Sequence, residues 1–418
     1  MIKREIIGQI TPWLGRNKIL ILKGSRQVGK TTILKELEKR LKAKNKQVVY
    51  LLADDLWNGA IFDSPASLEL YLKEYHGLGK SKIYLMIDEF QVINDAGLFL
   101  KNVFDKHKDN LQLIVSGSSS LEVNKSSEFL TGRAIHFSIE RINFKEYFDY
   151  FNKTNLQRIS LGNFSDLEIF YSTFKTRLDS AFESYLMFGA YPEIVTTKLN
   201  EDKKIILKSI IKTYIEKDII NHLKIENISG FNNLLKILSA QIGQLLNVNE
   251  ISNTINLSIN TLKKYLDILI GTYVFDSVSP YYKNIRTEIS KMPKAYILDL
   301  GIRNYILRDF NLAGDRGLIV ENFVYLVFLA QFEKDYLHYY RTVSGSEIDF
   351  VIEKDDTKNI LCEVKFRSKI KIPLAIKNFE KKYGDLVGNK LIITKDLIKK
   401  EDNVYFIPAP LLPFINLK

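Results

Sequence analysis

The run Gly24-Ser25-Arg26-Gln27-Val28-Gly29-Lys30-Thr31-Thr32 satisfies G-x-x-x-x-G-K-[ST] and joins an apolar segment to a lysine-rich amphipathic one. A chain that wraps a phosphate needs glycine, because backbone N–H groups converge only where no Cβ intervenes; a following helix N-terminus adds partial positive charge. The pattern predicts a triphosphate cradle over residues 24–32, with Lys30 reaching the β- and γ-phosphates and Thr31 binding Mg²⁺. The bland alternative is an ordinary glycine turn. A chance match in a chain of this length is on the order of one in a hundred.

A second acidic element follows in Ile83-Tyr84-Leu85-Met86-Ile87-Asp88-Glu89. A carboxylate at a buried strand end is costly without a cation, and a phosphate-bound metal supplies one, so Asp88 is expected to hold Mg²⁺ through its water shell. Glu89 is then placed to orient or deprotonate the attacking water. Acids after a strand also serve as plain helix caps. In Ser116-Gly117-Ser118-Ser119-Ser120, the hydroxyls, Ser118 first among them, are candidate sensors of the γ-phosphate or the water, or else parts of a small-residue turn. Arg133, in Leu130-Thr131-Gly132-Arg133, is an arginine finger acting in this chain or across a subunit boundary, or a surface salt-bridge partner. No NKxD or TKxD guanine-reading element follows, which favours ATP over GTP.

A separate set lies near the C-terminus. Glu321 falls in a helical stretch, Asp349 in a strand-like one, and Glu363-Val364-Lys365 at the end of the next, giving E…D…E-x-K. Residues two apart on a strand face the same way, so Glu363 and Lys365 point together. With Asp349 alongside, two carboxylates could hold a divalent ion while Lys365 steadies the attacking water or the developing phosphorane charge. The alternative is a Glu363–Lys365 salt bridge in a domain without nuclease chemistry.

The elements that must position these residues divide the chain in an α/β pattern. Up to about Tyr150, short β-branched runs at 18–23, 47–53, 82–89 and 111–117 alternate with amphipathic helices, which implies a mostly parallel sheet covered by helices. Between roughly Ser165 and Tyr282 the apolar spacing is helical. Within it, 249–255 and 258–270 read as a helix-turn-helix, with Ser258 capping the second helix and Asn260, Thr261, Lys263 and Lys264 toward its exposed start. Residues 272–279 with Lys283 and Arg286 would form a wing. Such a module contacts DNA or serves as a packing module. After about Ala295 the order is α-β-β-β-α-β. The divisions are 1–160 for a P-loop core, 161–228 for a helical lid or connector, 229–295 for the winged helix, and 296–418 for a final α/β domain.

At 418 residues, 46% hydrophobic and 26% charged, the chain has ordinary globular composition and room for about three domains. The N-terminus lacks an apolar signal core, and the most apolar stretch, Gly317 to Phe332, carries Glu321 and Asn322, so it reads as a core helix and no membrane association is expected. One cysteine, Cys362, excludes an internal disulfide, and the cytoplasm is the expected compartment. Sixty Lys+Arg against 49 Asp+Glu leaves +11, which favours encounters with polyanions, although lysines scattered on solvated faces give the same total.

GSRQVGKTT, IDEFQ, SGSSS, LTGR and INFKEYF, in that order, resemble the AAA-type ATP-binding proteins of bacteria and archaea that carry an uncharacterised C-terminal domain. Tyr185 to Glu193 resembles their Y-L-x-x-G-G-Y-P-E signature, with Ala190 at the second glycine. The resemblance covers nearly the whole chain. It implies an ATPase fold, a winged-helix segment and a C-terminal restriction-endonuclease-like, PD-(D/E)XK-like domain. The leading expectation is a Mg²⁺-dependent ATPase acting as a nucleotide-controlled switch with DNA. The alternatives are an ATP-regulated nuclease and an ATP-bound protein adapter with negligible turnover. A homo-oligomer or protein partner is compatible with each.

Overall fold

The computed structural model describes residues 2–118, 128–214, 219, 225–282, 291–342, 345–354, 358–368 and 370–418. Ser119, Ser120, Lys283 and Arg286 lie outside the described residues. The chain separates into two compact units, one of residues 1–142 with 271–273, the other of 143–270 with 274–418.

The first unit is built on β1 (Ile19–Lys23), β2 (Gln47–Leu52), β3 (Ile83–Asp88), β4 (Leu111–Gly117) and β5 (Ala134–Ser138). They form one sheet in the order β2-β3-β4-β1-β5, with every pairing parallel. β1, β3 and β4 are almost wholly buried. That burial explains their continuous apolar runs, since a parallel sheet is covered on both faces. On one face Ile21, Leu85, Ile87, Leu113 and Val115 share a core with Leu68 and Leu72 of the helix Pro65–His76 and Leu100 and Val103 of the helix Ala96–His107. The helix Lys30–Lys42 buries Ile33, Leu34, Leu37 and Leu41, spaced to line one helical face. Parallel pairing brings the C-terminal ends of all the strands to one edge, where Gly24 follows β1, Glu89 follows β3 and Ser118 follows β4. The strand absent from the sequence reading is β5: it lies at the sheet edge and is only partly buried, so it has no continuous apolar run.

The second unit holds the long helix Phe164–Phe188, the helices Ile228–Ala240, Val248–Ile255 and Ile259–Gly271, and the antiparallel pair β7 (Phe275–Val278) and β8 (Lys294–Ile297). β6 (Ile159–Ser160) pairs in parallel with β15 (Ile415–Asn416), tying the start of this unit to its end. After the helix Arg316–Leu329 come β9 (Leu337–Arg341), β10 (Glu347–Ile352), β11 (Asn359–Val364), the helix Leu374–Tyr383, and β12 (Val387–Thr394). This is the expected α-β-β-β-α-β order. Two further strands, β13 (Lys399–Glu401) and β14 (Val404–Pro408), complete a mixed sheet ordered β13-β14-β12-β11-β10-β9. Ile348, Leu361, Ile392 and Phe406 pack there with Ile376 and Phe379.

The helix Arg316–Leu329 is a core element, as its polar residues suggested: Asn322 accepts from the Ile297 N–H at 2.9 Å and donates to the Ile297 carbonyl at 2.8 Å. Among the described residues no helix is long and apolar enough to cross a membrane. The Tyr185–Glu193 signature forms a backbone joint. Gly189 has φ +72°, and a Cβ there would stand 2.2 Å from an Asp299 carboxylate oxygen. Asp299 accepts from the Ala190 N–H at 2.8 Å, and the Asn304 amide donates to the carbonyls of Leu186 and Met187, each at 2.9 Å. The end of the long helix is thus capped by the segment 299–304.

Candidate functional site

The loop 24–29 leaves β1 and enters the helix beginning at Lys30. Gly29 reaches φ +96°, and Gln27 is left-handed at φ +62°, so the chain curls back on itself. At Gly24 a Cβ would lie 2.3 Å from the Ile139 carbonyl oxygen, so that position excludes any side chain. Val28 is buried and anchors the loop, whereas Arg26, Gln27, Thr31 and Thr32 are exposed. Lys30 is buried, and its ammonium donates to the carbonyls of Gly24 at 3.1 Å and Ser25 at 2.8 Å. Burial lowers its pKa to about 8, against the opposing pull of Glu89 and Asp88. Arg4, from far upstream, donates to the Val28 carbonyl at 2.9 Å and to the Glu140 carbonyl at 2.6 Å, holding the loop from behind.

Asp88 meets this loop. Its Oδ2 accepts from the Thr31 hydroxyl at 2.6 Å and the Tyr50 hydroxyl at 2.7 Å, while Oδ1 accepts from the Ser116 hydroxyl and from the Glu89 N–H at 3.2 Å. Burial and the bond to Asp88 raise the Tyr50 pKa, so Tyr50 stays a donor. Glu89 turns left-handed at φ +55°, directing the chain away from the strand immediately after Asp88. Gln91 donates to Glu89 Oε2 at 2.6 Å and to the Ser118 hydroxyl at 3.1 Å, and so links the acid after β3 to the hydroxyl after β4.

The residues fit a magnesium-bound triphosphate. A helix N-terminus, a lysine, and a hydroxyl–carboxylate pair converge, and the buried Ser25 Oγ has no hydrogen-bond partner, as a group aimed at a ligand would not. Residues 16–148 match the family model described as an AAA domain. This chain therefore carries an AAA-type P-loop domain. Beyond that domain, residues 179–313 and 316–412 match two domains of unknown function, DUF8612 and DUF4143. An uncharacterized protein of Haemophilus influenzae is 23% identical over 367 residues, covering 85% of this chain and 85% of that protein. An uncharacterized protein of Methanocaldococcus jannaschii is 25% identical over 413 residues, covering 95% and 86%. Among solved structures, AMPPCP-bound DnaA from Aquifex aeolicus is 14% identical, covering 63% of this chain and 84% of that one, with a TM-score of 0.27. A shared fold is not established at such a score, so the assignment rests on the family match and the loop.

Within the AAA domain, the predicted residues separate. Lys30, Thr31, Asp88, Glu89 and Ser118 gather at the C-terminal edge of the sheet. Arg133 does not: it precedes β5, and its carbonyl accepts from the Ile19 N–H at the start of β1. It therefore lies at the opposite end of the strands, a strand length from the loop. Its guanidinium pairs with Asp105, Nε at 2.6 Å and Nη2 at 3.0 Å. Arg133 is thus not brought to the loop of its own chain, and forms a surface salt bridge instead. Sequence reasoning passed over Arg4, Tyr50 and Gln91, while Ser116 was among the hydroxyls it named. Gln91 was legible as a member of IDEFQ; Arg4 had no local signal.

The second unit brings Glu321, Asp349, Glu363 and Lys365 together. Asp349 Oδ2 accepts from the Val364 N–H at 2.7 Å, Glu363 Oε2 accepts from the Asp349 N–H at 3.3 Å, and Lys365 pairs with Glu363 at 2.6 Å. The cation between the acids is Lys294 of β8, which the sequence reading did not single out. Its ammonium lies 2.9 Å from Glu321, 2.5 Å from Glu347 and 3.7 Å from Asp349. Burial, with Asp349 nearby, raises both Glu321 and Glu363 above the usual carboxylate range. Among the described residues no group of three or more His, Cys, Asp or Glu is arranged to hold a metal ion. Beside Asp349, where a divalent ion was expected, the structure places the Lys294 ammonium at 3.7 Å, and Glu363 pairs with Lys365.

Proposed function

We propose that this chain binds ATP with Mg²⁺ at residues 24–32 and hydrolyses it, acting as a nucleotide-controlled switch. The single observation that carries this reading is the 2.6 Å bond between the Thr31 hydroxyl and Asp88. It places the two groups that would hold Mg²⁺ side by side, at the mouth of the loop that contains Lys30. When bound, Mg²⁺ neutralises phosphate charge and polarises the bond to be broken. Lys30 leaves the Gly24 and Ser25 carbonyls to contact the β- and γ-phosphates, and the unpaired Ser25 hydroxyl gains a partner. Glu89 orients the water and accepts its proton, with Gln91 steadying the carboxylate and Ser118 at the far end of the same relay.

DNA is the proposed partner of the switch. The helices Val248–Ile255 and Ile259–Gly271 meet at a turn in which Asn256 is left-handed, and Ser258 Oγ caps the second by accepting from the Thr261 N–H at 3.1 Å. Asn260, Lys263 and Lys264 are exposed and Thr261 is half-buried, and the β7–β8 pair follows. This supports a winged-helix reading with a basic second helix facing solvent. The deciding experiment is steady-state ATPase activity of the full chain with and without single- and double-stranded DNA. Lys30→Ala should lose nucleotide binding, and Glu89→Gln should keep binding while turnover drops by about 10²-fold. Unchanged turnover in both variants removes the catalytic assignment, whereas tight ATP binding without turnover in the unaltered chain leaves a nucleotide-bound adapter.

A further inference from the structure

We infer that the acidic cluster of the C-terminal sheet takes Lys294, in place of a divalent metal ion, as its cation, making it a charge latch that ties β8 to the sheet. The inference is independent of the nucleotide reading.

The ammonium of Lys294 is surrounded much as a metal would be. Carboxylate oxygens reach it from the helix Arg316–Leu329, through Glu321, and from two positions of β10, Glu347 and Asp349. The Lys294 side chain is 2% exposed, so this is a fixed feature of the interior. Several of the carboxylates have further donors. Tyr296 donates to Glu321 at 2.8 Å, Arg341 to Glu347 at 3.0 Å, the Val364 N–H to Asp349, and Lys365 to Glu363. Gly243 packs so closely that a Cβ there would lie 3.0 Å from a Glu321 oxygen. A divalent ion entering beside Asp349 would face the Lys294 ammonium across a few ångströms and be repelled. A cavity of about 420 Å³, lined by Lys294, Glu321, Arg341 and Glu347, opens on the ammonium side of the cluster. The buried ammonium therefore replaces the metal electrostatically while lacking a metal's capacity to activate water.

The test is Mn²⁺ binding, followed by the electron paramagnetic resonance of the free ion, on the nucleotide-free full chain carrying Asp88→Ala to remove the other metal site. With Lys294 present, no Mn²⁺ uptake should depend on Asp349. Lys294→Gln should bind Mn²⁺ at least about tenfold more tightly, and adding Asp349→Asn should abolish the gain. Lys294→Arg, which keeps the charge, should stay at background. The proposal is overturned if the Lys294 protein binds Mn²⁺ in a way that Asp349→Asn abolishes, or if a folded Lys294→Gln protein gains nothing. Should Lys294→Gln not fold, comparing the Lys294 protein with its Asp349→Asn derivative decides the matter alone.

Discussion

Gln91 illustrates how much of this site depends on single side chains that carry no motif of their own. Its amide donates to Glu89 and to Ser118, so the acid is held by a group that also touches the segment after β4. Gln91→Ala should leave ATP affinity within about twofold and slow turnover by about tenfold, because it misplaces the base without removing it. Gln91→Glu, which cannot donate, should be slower still. Equal losses in KM and kcat would point to a collapsed loop instead. Lys30, Thr31, Asp88 and Glu89 were readable from spacing alone, since the chemistry of phosphate binding restricts which residue types can stand at each place. Lys294 was not readable: its partners come from residues 27 to 55 positions downstream, and one lysine among sixty Lys+Arg residues has no local signal.

At the scale of elements, the end of the long helix Phe164–Phe188 depends on a close backbone approach. A Cβ at Gly301 would lie 2.0 Å from the Phe188 carbonyl oxygen, and backbone cannot move aside as a flexible side chain can. Gly301→Ala should therefore destabilise the second unit by about 3 kcal/mol, seen as a lower urea midpoint at unchanged slope. In the first unit, Glu69 joins the helix Pro65–His76 to the helix Ala96–His107. It accepts from Lys106 and Lys73, each at 2.5 Å, and these bonds lower its pKa from 4.5 to about 2. A depressed folded-state pKa means stability that is present above the unfolded value and lost as pH falls. Stability should decline between about pH 4.5 and pH 2, and Glu69→Gln should flatten that decline in urea melts at pH 5 and pH 3. Four of the five strands of the first sheet and the α-β-β-β-α-β order followed from hydrophobic period. β5 and β13 escaped because exposed or edge strands need no apolar run, and β14 lay beyond the last expected strand although it is buried.

For the whole molecule, the net charge of +11 turns a local question about the second helix of the helix-turn-helix into a measurable one. If Lys263 and Lys264 contact phosphates, affinity for a duplex should fall by about tenfold or more between ~50 and ~200 mM salt, and Lys263→Ala with Lys264→Ala should flatten the slope of log affinity against log salt by about two. A slope that does not change would leave the basic excess as a solubility feature. What the amino-acid order determined by itself was local and periodic: the phosphate loop, the strand that delivers Asp88, and the helix pair, all set by contacts between near neighbours and by which faces must be buried. What only the tertiary structure decided was which cation meets which acid. The register of β8 against β7, and of β10 against β11, carries Lys294 into a cluster that its sequence neighbourhood could not announce, while the parallel sheet puts Arg133 at the end away from the loop. Charges act through space, and space is assigned only once the strands have paired.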